Sequence, residues 1–127
     1  MFKKTRARIA ADVRARLGAD RIVALEDGAN CFGVESGGRW QIRGNGRLAA
    51  TADEILFVMW FPRREVHIRR DRVTAVERAR SHLGKTVGQE LLRVRFTNDE
   101  DNPDSVAWWV ADLAEWERVL GQLRPEP

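Results

Sequence analysis

Residues 44–77, GNGRLAATADEILFVMWFPRREVHIRRDRVTAVE, read as four short strands in succession, and no other stretch limits the fold as strongly. Residues 47–52 form the first. Asp53-Glu54 mark a turn, and residues 55–61 are apolar at every position, as a strand covered on both faces is. Pro62-Arg63-Arg64 end it. Residues 65–70 then alternate, with Val66 and Ile68 inward and His67 and Arg69 outward. Residues 73–78 supply the fourth strand, anchored by Val73 or Val76, and a loop through Gly84 and Gly88 follows.

The alternation returns in residues 91–97, with Leu92, Val94 and Phe96 inward and Arg93 and Arg95 outward. Residues 98–105, NDEDNPDS, read as an acidic hairpin loop, and residues 106–111 as a strand carrying Trp108 and Trp109. Adjacent strand residues face opposite sides, so only one of that pair points inward. Trp40 and Trp60 pose the same question of burial against a partner site. Asp112 stands where a helix N-cap belongs, with Glu115 at the capping-box spacing. Leu113, Trp116, Val119 and Leu120 share one side of that helix. Upstream, residues 21–25 and 29–35 are short apolar stretches split by Asp27-Gly28, and Gly37-Gly38 precedes residues 39–43. Together they make one irregular first strand with an approach segment.

Residues 3–17 contain no Gly or Pro and are rich in Ala and Arg, so they predict a helix. Ile9, Val13 and Leu17 recur every fourth residue, with Ala10 beside them, and Gly18 is the stop. Its charge is distinctive. Residues 1–20 hold Lys3, Lys4, Arg6, Arg8, Arg14 and Arg16 against Asp12 and Asp20, a net of +4, which leaves −1 for the rest of a chain whose total is +3. Any attraction to an anionic partner therefore rests on this segment or on local patches.

Several chemistries are disfavoured. With 43% hydrophobic and 32% charged residues, the 127-residue chain suits one ordinary globular domain. The run 55–61 is far shorter than the roughly 20 residues a spanning helix needs, and charges interrupt the place of a signal peptide, so a cytoplasmic protein is expected. Cys31, His67 and His82 sit on separate segments without metal-ligand spacing. Cys31 in an apolar run reads as a small core residue. Gly84-Lys85-Thr86 matches the end of a phosphate-binding loop, but Ala79 stands where its first Gly belongs and no helix signal follows. The acidic loop lacks the mid-loop Gly and distal Glu of a calcium-binding loop. No enzyme, metal, cofactor or small-molecule substrate is inferred.

Seven strands followed by one capping helix resembles the pleckstrin-homology (PH) superfold, and the local sequence resembles its GRAM and bacterial PH-like branch. The hairpin motif of that branch stands here as Gly46, Leu48, Ala50, Thr51, Ile55 or Leu56, and Phe57. Ile68-Arg69-Arg70, Val73 and Val76-Glu77 follow, without the Pro-Leu pair usual in bacterial members. The resemblance spans about residues 30–123. It implies a mainly β (α+β) fold: two nearly orthogonal sheets forming a seven-stranded, bent antiparallel barrel. Trp116 on the C-terminal helix is its structural anchor. Residues 1–20 would be an extra basic amphipathic helix, and residues 21–127 the PH/GRAM-like domain.

In PH domains that bind phosphoinositides, three loops gather basic residues. Here those loops map to Gly44-Asn45-Gly46, to Pro62-Arg63-Arg64 and to residues 98–105. The last would oppose an anionic headgroup, and Arg63 or Arg64 would pair with it. The function favoured is therefore a non-enzymatic binding module for another protein or for a second copy of itself, with Trp60, Trp108 and Trp109 as candidate interface residues. The alternative is weak attachment to an anionic membrane, with Lys3, Lys4, Arg6, Arg8, Arg63 and Arg64 as candidate contacts. Nucleic acid is disfavoured because the segment offers charge without a reading motif. Docking on the domain through Ile9, Val13 and Leu17, over the outer face of residues 55–61, is the simplest use of the N-terminal helix.

Overall fold

The computed structural model describes residues 2–122. Helix α1 (Phe2–Leu17) ends where Gly18, at φ 86°, donates its N–H to the Arg14 carbonyl at 2.8 Å. Strands β1 (Ala24–Val34), β2 (Arg43–Ala50), β3 (Glu54–Met59), β4 (Glu65–Arg69), β5 (Val73–His82), β6 (Lys85–Thr97) and β7 (Pro103–Trp109) follow, then helix α2 (Leu113–Gln122). All pairings are antiparallel, in the order β4-β3-β2-β1-β7-β6-β5.

That order corrects the reading of residues 44–77 as one unbroken meander. Strands β2 to β4 do pair in succession, but β4 and β5 are opposite edges of the sheet. The seven strands form one continuous sheet curled into a half-barrel, rather than two separate sheets. A short 3-10 turn, Arg70–Arg72, carries the chain across the open side.

Alternation sorts the side chains. Leu48 pairs with Phe57, Ala50 with Ile55, Leu92 with Trp108, and Val76, Val94 and Val106 lie in register across three strands. These residues form the inner core, into which α2 sends Trp116, Val119 and Leu120, each at most 5% exposed. Phe57 and Trp108 meet there with ring centres 5.9 Å apart and planes tilted by 56°. Asp112 caps α2, its side chain accepting the Glu115 N–H at 3.1 Å.

Three local readings change. Asp27-Gly28 is a bulge inside a continuous β1, with Gly28 at φ 100°, and not a break. Gly44-Asn45-Gly46 lies within β2, paired to Cys31, Asn30 and Ala29, and not in a loop. Gly46 is there because a Cβ would come within 2.3 Å of the Val58 carbonyl oxygen. The expected loop through Gly84 and Gly88 is a two-residue turn, Leu83-Gly84, with both φ positive, and β6 starts at Lys85.

Candidate interaction surfaces

The outer face of the half-barrel divides in two. Over β2 and β3, α1 buries Ile9, Val13 and Leu17 against Ala49, Leu56 and Val58, with Ile22 and Trp60 at the margin. This is why residues 55–59 are apolar on both faces: one set enters the core and the other meets the helix. Ion pairs fix the helix from its sides. Arg63 bonds Asp12 at 2.7 Å and Glu65 at 3.3 Å, and Arg16 bonds Glu65 at 2.6 Å. The Arg16 hydrogen bond holds the Glu65 carboxyl below its ordinary range. Arg6 lies over the Trp60 ring, 3.9 Å from its centre.

Arg63 is thus tied to α1 and β4, and not to the acidic hairpin as expected. Asp101 of that hairpin pairs instead with Arg72 at 2.7 Å. Asp104 is buried and accepts the Ser36 N–H at 3.0 Å and hydroxyl at 2.5 Å and the Asn98 amide at 3.2 Å, so it holds the β1–β2 connection to the hairpin. Gly44–Gly46 thus lies inside a strand, and Asp104 is turned inward to Ser36. Among the described residues, no group of His, Cys, Asp and Glu is placed to hold a metal ion.

Over β1, β6 and β7 no described helix covers the outer face. Asn30, Phe32, Asn45, Gly88, Gln89, Leu91 and Trp109 line a shallow groove of about 490 Å³ there. All seven belong to strands, and none is charged. Trp109 and Phe32 are half-buried, whereas Trp108 is fully buried in the core. Trp108 is therefore withdrawn from the candidate interface: it points inward, and its neighbour points out. Trp116 is buried in the core, and Trp60 is half-buried under Arg6. The side chain of Trp40 lies outside the described residues. Lys3, Lys4, Arg6, Arg8 and Arg63 are exposed, and Arg64 is half-exposed.

Buried Arg70 was not singled out in the sequence. Its guanidinium donates to the Thr51 carbonyl at 3.1 Å and to the Val119 and Leu120 carbonyls at 3.4 and 3.0 Å. A cation is thereby placed on the last carbonyls of α2, where the helix dipole is negative. The signal was present: Val66, Ile68 and Arg70 share one face by alternation, but the run of charges around Arg70 reads as solvent-facing. Cys31 and His82 are also buried. Desolvation pushes the Cys31 thiol up to about 12, which leaves it inert as a nucleophile. His82 donates Nε2–H to the Gly33 carbonyl at 2.9 Å, and burial pulls its pKa down. His67 pairs with Glu54 at 2.6 Å on the exposed face of β3–β4.

No protein-family model matches the chain, and no curated protein matches it. Solved structures do. The Vps36 N-terminal PH domain superposes with a TM-score of 0.57 at 12% identity, covering 81% of this chain and 77% of that one. A chain of the 8S snRNP assembly intermediate gives 0.60 at 6% identity, covering 84% and 86%. The C-terminal domain of an unknown protein from Leishmania infantum gives 0.56 at 13%, covering 91% and 97%. The fold is PH-like. At these identities the likeness concerns architecture alone.

Proposed function

We propose that this chain is a non-enzymatic binding module that docks another polypeptide, a second copy of itself included, on the outer face of β1, β6 and β7. The observation that carries this reading is the groove around Trp109, whose described lining residues carry no charge. In a chain with 32% charged residues, a patch of Trp109, Phe32, Leu91 and three amide side chains has the composition of an interface centre. The amides of Asn30, Asn45 and Gln89 can hydrogen-bond a peptide backbone that lies along the groove. The absence of a catalytic role is supported by a Cys31 thiol held neutral and by His67 and His82 committed to separate structural contacts.

We read residues 1–20 as an accessory helix on a PH-like domain of residues 21–127, placed in the cytoplasm and related to the GRAM and bacterial branch of the superfold. Support for that branch comes from its hairpin motif, whose members all have structural work: Gly46 permits close strand approach, Leu48 and Phe57 enter the core, and the Thr51 hydroxyl accepts the Asp53 and Glu54 N–H groups at 3.1 and 3.2 Å.

The test is a photocrosslinking amino acid placed at Phe32 or at Gln89, with Thr74 on β5 as the control site. Crosslinks to a polypeptide from 32 and 89 but not from 74, lost on Trp109→Arg, are expected. Absence of any crosslink, to the chain itself or to another protein, overturns the reading.

A further inference from the structure

The open side of the half-barrel encloses a small cavity. Because β4 and β5 do not pair, the 3-10 turn Arg70–Arg72 carries the chain across the gap, and a cavity of about 160 Å³ opens there. Ile55 of β3, Arg70, Val73 and Val76 of β5, and Leu120 and Gly121 of α2 line it. Four of these are aliphatic, and Arg70 alone is charged. Arg70 is 7% exposed and has no carboxylate partner among the described residues. Its Nη atoms donate to the carbonyls of Thr51, Val119 and Leu120, and its Nε–H takes no part, so donor capacity remains. Burial lowers its pKa, and no carboxylate acts to raise it again. The end of α2 contributes only about half a negative charge, so the wall keeps a positive field. Gly121 is a second sign. Glycine is a poorer helix residue than leucine or alanine, yet a Cβ at Gly121 would meet nothing within 4 Å, so crowding does not demand it. It is exposed at the rim of the cavity, where the lack of a side chain leaves the entrance open.

We infer that this cavity binds a small apolar carboxylate, with its carboxyl group on Arg70 and its hydrocarbon part among Ile55, Val73, Val76 and Leu120. Each part of the lining selects one part of the ligand. The aliphatic side chains take hydrocarbon out of water. The guanidinium, a planar donor without a counter-ion, suits a carboxylate. Phosphate and sulfate are disfavoured, because their remaining oxygens would face aliphatic walls that donate no hydrogen bond. Volume sets the size. An apolar cavity of about 150 Å³ takes benzene, so an acid the size of benzoate fits, and a nucleotide or a long acyl chain does not. The ligand would touch β3, β5 and α2 together and so brace the gap that the unpaired sheet edges leave. The groove around Trp109 shares none of these residues, so this site does not rest on peptide docking there.

The experiment is titration of the isotope-labelled intact chain with sodium benzoate, read from backbone amide shifts. Benzyl alcohol serves as the neutral ligand of the same size, and sodium sulfate as an anion without the apolar part. Saturable shifts at Ile55, Val73, Val76 and Leu120 are expected with benzoate. Benzyl alcohol should bind about tenfold more weakly, and sulfate should not saturate. Gly121→Leu fills the rim with a better helix former, so it should melt no earlier than the parent yet bind benzoate about tenfold more weakly. Arg70→Met should lose the preference for benzoate over benzyl alcohol. Because that change also loosens α2, it is measured where its spectrum is that of a folded chain, and Gly121→Leu decides the matter if it never folds. The inference is overturned by absence of saturable benzoate shifts, by shifts centred on other residues, by equal binding of benzyl alcohol, or by full binding of the Gly121→Leu chain.

Discussion

The two halves of the outer sheet face solve the same problem differently. Over β2 and β3 the outward residues under α1 are Ala49, Leu56 and Val58, all apolar, and sixteen residues of helix cover them. Over β1, β6 and β7 the outward residues mix Phe32, Leu91 and Trp109 with Asn30, Gln89 and the neighbouring Asn45 of β2, and no described helix covers them. The difference is one of solvation. Water cannot satisfy an all-apolar face, so cover is obligatory for the monomer. Amides among aromatics stay hydrated until something displaces the water, so cover is optional. Obligatory cover belongs to folding, and optional cover belongs to binding.

The largest expected effect breaks the covered half. Val13 is fully buried between α1 and the sheet. Val13→Asp puts an unpaired carboxylate there and should cost about 3 kcal/mol or more. Trp109→Ser on the other half should cost less, about 1 kcal/mol, because that indole is only partly buried. Urea unfolding of both chains checks the contrast. If Val13→Asp shifts stability by less than about 1 kcal/mol, α1 is not part of the cooperative unit, and the two faces are equally bare.

Next in size is Arg70→Met, which tests whether the outer contrast is independent of the inner core. It removes three bonds to carbonyl oxygens and the charge at the end of α2 while keeping an apolar stem of similar length. Loss of about 2 kcal/mol is expected. Combined with Val13→Asp the two losses should add to within about 0.5 kcal/mol, since they share no partner. Strong non-additivity in denaturant titrations would show that α1 and α2 are coupled through the sheet.

How far these halves were legible follows from what each depends on. The covered half could be read directly: a strand apolar at every position and a helix with a four-residue apolar repeat are complementary patterns, and both are local. The PH-like order of seven strands and a capping helix was legible for the same reason. Two things were not. The open side between β4 and β5 depends on which edges meet, and sequential strands give no sign of that. The partners of Arg63 and Asp104 depend on how distant segments meet: Arg63 was matched to the acidic hairpin but pairs with Asp12 of α1 and with Glu65, and Asp104 looks like loop charge but is buried under Ser36 and Asn98. The groove around Trp109 was half legible. Alternation required one of Trp108 and Trp109 to face out, but not which one, nor that Phe32, Asn30 and Asn45 would join it across β1 and β2.

A smaller effect separates the halves by pH. His82 sits at the tip of β5–β6, bonded to Gly33 of β1. Burial lowers its pKa from the ordinary 6.5, Arg93 and Arg43 nearby also lower it, and Glu35 and the Gly33 bond act against this. The folded state thus prefers the neutral ring. Stability is fully present above about 6.5 and is lost as pH falls through the lower folded value. Glu65, between α1 and β4, is lowered from 4.5, so its contribution is present above 4.5 and is lost only below that. Amide exchange near His82 should therefore quicken at a higher pH than exchange in α1. In a His82→Gln chain the first step should vanish and the second remain. Simultaneous loosening of both regions would mean that one cooperative unit spans the whole outer face.

The smallest effect asks what holds α1 in place. Asp12 and Arg63 meet at 2.7 Å with side chains 42% and 41% exposed. Water screens such a pair and both side chains lose rotamer freedom to make it, so a double-mutant cycle of Asp12→Ala and Arg63→Ala should return a coupling of about 0.2–1 kcal/mol. The coupling should shrink further in high salt. A helix held mainly by its apolar stripe requires this ordering, with Val13 several times more costly than the ion pair. A measured coupling above about 2 kcal/mol would reverse it. The covered half would then be an electrostatic latch, released by salt, and its cover would be as optional as that of the groove around Trp109.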